Sequence, residues 1–80
     1  MPTLLYFKGF RFYFHSREGT PREPAHVHIE KSGIECKIWL KSLTVAYNYG
    51  IKEKDLSMVR EIVIENQDLF LRRWHEHFNQ

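Results

Sequence analysis

The hydrophobic pattern of this chain changes its period near residue 50. From Thr3 to about Leu40, apolar and polar positions alternate in twos, as in a half-buried strand. From about Lys52 onward, apolar positions recur at steps near 3.6, as on one face of a helix. Residues 4–7 read as a first strand, closed by a tight turn at Lys8-Gly9. Residues 10–15 alternate most clearly, with Phe10, Phe12 and Phe14 on one side and Arg11, Tyr13 and His15 on the other. Residues 16–25 form a loop, marked by Gly19, Pro21 and Pro24. Residues 26–31 and 34–41 are two more strands around a Ser32-Gly33 turn. Residues 44–47 suit a short edge strand, which Asn48-Tyr49-Gly50 ends. Leu56, Val59, Val63, Phe70, Trp74 and Phe78 then make a helical stripe. A straight helix over residues 52–78 would run roughly 40 Å, against roughly 20–25 Å for five strands side by side. So the helix either breaks near Asn66, where a second helix can start, or projects beyond the sheet.

Two-residue turns set a register. Lys31 then faces Ile34, Glu30 faces Glu35, Ile29 faces Cys36, His28 faces Lys37 and His26 faces Trp39. Across the first turn, Phe7 faces Phe10, Leu5 faces Phe12 and Leu4 faces Tyr13. One face of the sheet becomes wholly apolar, and the helical stripe is its natural cover. The expected fold is α+β: an antiparallel meander of four or five strands, one face covered by a long or broken C-terminal helix. Cys36 lies on the covered face as a small hydrophobe. The opposite face collects Tyr6, Arg11, Tyr13, His15, His26, His28, Glu30, Glu35, Lys37 and Trp39.

Length and composition narrow this further. Eighty residues make one domain, 1–80, with a modest core. Six Phe, four Tyr and two Trp enlarge that core, since each buries a large apolar area. The single cysteine excludes an internal disulfide and suits a reducing compartment, so a cytoplasmic location is expected. The first residues carry no signal-peptide pattern, and no segment is long and apolar enough to span a membrane. A net charge of +2 says little about nucleic acid.

The open face carries the candidate chemistry. In one reading, His15, His26 and His28 hold zinc or another divalent metal, because His26 and His28 project together from one strand. In another, the site is metal-free and ribonuclease-like. His26 or His28 serves as the acid or the base, Arg11 or Lys37 stabilises the phosphorane, and Tyr13 and Trp39 stack on bases. Without a reaction, the same residues make an interaction surface, for a second copy or another protein. The bland reading is a solvated sheet face. At the C-terminal end, Trp74 and Phe78 belong to the core. Arg72, Arg73, His75 and His77 suit the helix dipole, and His75 and His77 point about 200° apart, so they do not chelate one ion.

Taken together, the GFRFYF strand, the Pro-rich loop, the P-x-H-V-H core, Lys37-Ile38-Trp39-Leu40, a glycine before the helix and the closing W-H-E-x-F resemble the DUF4160 family of small bacterial domains of unknown function. The matching positions include Pro24, His26, His28, Trp74, His75, Glu76 and Phe78. The resemblance implies a bacterial protein with a cognate small protein partner, in the manner of a toxin–antitoxin component, and names no reaction. The chain departs from the pattern at the helix start. Lys52-Glu53 stands where the family has Ser or Thr, often before Pro, so a side-chain N-cap is missing. The leading expectation is a toxin–antitoxin-like protein that binds its partner, and RNA in one version, through the histidine-bearing face. The alternatives are the metal protein and a non-catalytic homodimer.

Overall fold

The structure, a computed structural model, describes residues 3–15 and 23–79. Five strands, β1 (Thr3–Phe7), β2 (Phe10–Tyr13), β3 (His26–Lys31), β4 (Ile34–Trp39) and β5 (Val45–Tyr49), precede two helices, α1 (Glu53–Glu65) and α2 (Gln67–Phe78). The strands form one antiparallel sheet in chain order, a meander. The α+β architecture is the one expected. Most of the loop expected over residues 16–25 falls on residues 16–22, outside the described residues.

Both hairpin turns work by the same local chemistry. Lys8 and Gly9 take φ of 49° and 84°, and Ser32 and Gly33 take 48° and 88°. Positive φ at both central residues is the type I′ pattern, whose twist matches that of the strands it joins. Such turns fix the register. The whole β3–β4 pairing falls as expected, from Lys31 opposite Ile34 to His26 opposite Trp39.

Two expectations need correction. Tyr13 pairs with Thr3, not Leu4, because a bulge shifts β1 between Thr3 and Leu5. An extra residue breaks strict alternation, and Leu4 and Leu5 both pack against the core. The last strand also runs on to Tyr49. Asn48 does not break it. It sits opposite Cys36, and its side chain closes the following turn with two bonds to the Ile51 backbone, at 2.9 and 3.1 Å.

The core lies between sheet and helices. Phe10, Phe12, Val27, Ile29, Cys36 and Ile38 meet Val59, Val63, Phe70 and Trp74, all of them buried. The helical run breaks at Asn66, which takes φ −111° and ψ 15°. The Asn66 side chain donates to the Ile62 carbonyl at 2.8 Å. Gln67 then donates to the carbonyls of Leu40 at 2.7 Å and Lys41 at 3.3 Å, which ties the start of α2 to the end of β4. Two short helices thus follow the twisted sheet where one straight helix would overshoot it. Lys52 precedes α1 with no side-chain cap, as its residue type implies.

Candidate functional site

The face away from the helices is ordered in rows that cross the strands. One row runs Tyr6, Arg11, Glu30, Glu35, Tyr49. The next runs Thr3, Tyr13, His28, Lys37, Tyr47, and His26 opposite Trp39 begins a third. The register set by the turns therefore brings Arg11, Tyr13, His28 and Lys37 onto one surface, with His26 and His15 at its end.

His28 stands at the centre. Its ring stacks on Tyr13 at 5.5 Å and meets His15 and His26 edge-on at 4.3 and 5.2 Å. On the other side, Nδ1 is 3.3 Å from the Tyr47 hydroxyl, which donates to Glu35 Oε2 at 3.1 Å. A carboxylate only accepts, so the Tyr47 proton goes to Glu35 and the Tyr47 oxygen is left to accept from His28 Nδ1. A chain of polarised bonds, His28 to Tyr47 to Glu35, then links β3, β5 and β4. His26 is fixed differently. Its Nδ1 donates to the Pro24 carbonyl at 2.8 Å, and its ring lies 4.9 Å from Trp74 of α2 and 5.5 Å from Trp39. The end of α2 thus reaches the end of the central strand β3, and His26 packs among indoles.

The result is that both histidines are enclosed. His26 is 0% exposed and His28 is 3% exposed. A general acid or base must come within hydrogen-bond reach of its substrate, and neither ring presents a surface to one in this conformation. His15, His26 and His28 do cluster, but by ring edges and faces. Among the described residues, no group of three His, Cys, Asp or Glu side chains is arranged to hold a metal ion.

The cations are held over aromatic rings. The Arg11 guanidinium lies 4.2 Å from the centre of the Tyr13 ring, and its Nε donates to Thr3 Oγ1 at 3.0 Å. Lys37 Nζ lies 4.5 Å from the Trp39 ring and 3.5 Å from Glu23. Such contacts desolvate a cation cheaply and fix its position. Sequence reasoning missed Tyr47 and Tyr49, which stack on each other at 4.6 Å. Their i, i+2 spacing was the available signal. Asn48 and Gly50 obscured it by reading as a strand end.

Cys36 lies beneath this face, in the core and 0% exposed. Burial, with a smaller push from the Glu35 charge, raises its thiol to about 12. A thiol held protonated is not a nucleophile.

The fold and this face define a small α+β protein: a five-stranded meander backed by two helices, with an outer surface rich in aromatic rings and in charges of both signs. Residues 9–75 match the model of the domain of unknown function DUF4160, and the chain belongs to that family. No curated protein and no solved structure matches it. Among the described residues, no helix is long and apolar enough to cross a membrane.

Proposed function

We propose that this protein is a toxin–antitoxin-like component that binds a cognate small protein through the open face of its sheet. One observation carries the reading. The row Tyr6, Arg11, Glu30, Glu35, Tyr49 ends at both sheet edges in a tyrosine left in solvent, 68% and 65% exposed. Five strands place those two rings roughly 19 Å apart, a span that suits a protein contact. Protein interfaces concentrate Tyr, Trp and Arg, because these give large contact area at low entropic cost. Arg11 and Lys37 are balanced by Glu30 and Glu35, so the face gathers little of the positive field on which phosphate-backbone binding depends. That balance favours protein over RNA. The enclosed histidines shape the surface from below, and the exposed rings make the contact. The family resemblance adds a partner encoded beside the chain.

The test is co-expression with that small neighbouring protein, then calorimetric titration. Tyr6→Ala combined with Tyr49→Ala should weaken binding at least about tenfold, or about 1.4 kcal/mol, with an unchanged circular dichroism spectrum. Full affinity in the double variant overturns the proposal. So does RNA binding that falls steeply with salt while the small protein fails to bind.

A further inference from the structure

We infer that a second site, at the turn end of the molecule, binds a small organic carboxylate with an apolar body. A cleft of roughly 640 Å³ lies there between the Lys8-Gly9 turn and the first turns of α1, within the range of ligand pockets, about 300–1,000 Å³. Its accessible apolar lining is the half-buried Met58, with Phe10 buried beneath at 1% exposed. Its two walls differ in charge. The hairpin wall carries Lys8 and Lys31, and the helix wall carries Lys54 with Asp55 and Glu61.

Lys31 is held in place. Its Nζ donates to the Lys8 carbonyl at 3.1 Å and stands 5.1 Å from the centre of the Phe10 ring. Its stem lies across Gly9, where an added Cβ would come 3.0 Å from Lys31 Cε. Gly9 also takes φ +84°, so the turn and the bed for this lysine need the same residue. An ammonium has three donors, and the Lys8 carbonyl takes one. Among the described residues, no carboxylate forms a salt bridge with Lys8 or Lys31. A cation held over an aromatic ring, beside the apolar Met58, complements a carboxylate joined to a hydrophobic group. Asp55 and Glu61 repel the anion from the helix wall, which sets its orientation: charge toward Lys31, apolar body on Met58.

Amide NMR titration with naphthoate, and with the neutral naphthylmethanol, tests this. Naphthoate should shift the amides of Gly9, Lys31 and Met58 saturably and bind at least about tenfold more tightly than the alcohol. Lys31→Gln should weaken naphthoate about fivefold and leave the amides of the sheet's other face unmoved. The proposal fails if the Gly9, Lys31 and Met58 amides do not move saturably, if acid and alcohol bind equally, or if Lys31→Gln binds as the parent does.

Discussion

The two faces of the sheet are both enclosed at their centres, but by different means. On one face, α1 and α2 form a separate layer over Phe12, Ile29 and Ile38, each 0% exposed. On the other, the sheet encloses its own side chains. Among the described residues, His28 is shielded by Tyr13, His15 and Tyr47, and the end of α2 reaches across, where Trp74 meets His26. The first kind of burial is apolar, and it drives folding. The second is polar, and it is held by bonds such as His26 Nδ1 to the Pro24 carbonyl and His28 Nδ1 to the Tyr47 hydroxyl. A surface that looks chemical in the sequence can therefore be a second, polar core with a rim of exposed tyrosines.

Four measurements would break or sharpen that contrast. The largest effect belongs to the helix-covered side. Trp74→Ala removes a fully buried indole that packs on Phe14, Phe78 and His26. It should cost about 3–5 kcal/mol, a large share of the total stability of so small a domain, and leave much of the protein unfolded in urea titration. On the opposite side, His28→Ala should cost about 2 kcal/mol, read by the same titration. Near-zero loss would mean that this face is not a second core.

The third measurement is of pH. The Cys36 thiol ionises near 12 when folded, against an ordinary value of 9.0. Between those values the unfolded chain binds fewer protons than the folded one. Stability from this group is therefore complete below pH 9 and falls as pH rises toward 12, by about 1.4 kcal/mol per unit. Urea midpoints at neutral pH and at about pH 10 should diverge more for the parent than for Cys36→Ala, which lacks the titrating group. The smallest effect belongs to the rim. Tyr49→Ala should change stability by less than about 1 kcal/mol while weakening partner binding. A larger loss would place Tyr49 with the polar core.

Much of this was readable in the residues. Phe10 and Phe12 alternate with Arg11 and Tyr13 as a strand does, although β2 ends at Tyr13 and not at His15, and the two turns with glycine at their second position made pairings such as His28–Lys37 countable. The bulge at Thr3–Leu5 was not readable, because an inserted residue leaves no mark in a run as uniform as Thr-Leu-Leu-Tyr-Phe. Nor was the reach of β5. Asn48 is a turn-former by type, and only its bonds to Ile51 show it closing a turn from inside a strand.

The sequence by itself determined the period of each segment, the β3–β4 register, and thereby which side chains share a face, because alternation and turn chemistry act over a few residues. It also offered both outcomes for the helix without choosing between them. The tertiary structure decided that the helix bends at Asn66, where Gln67 can bond the Leu40 and Lys41 carbonyls. It also decided that His26 and His28 are enclosed. Whether a side chain on a sheet face meets water depends on what lies above it, here Trp74 from forty-eight positions along the chain and Tyr47 from a strand two steps later. No local pattern carries that, because the covering groups come from parts of the chain that approach only when the whole domain closes.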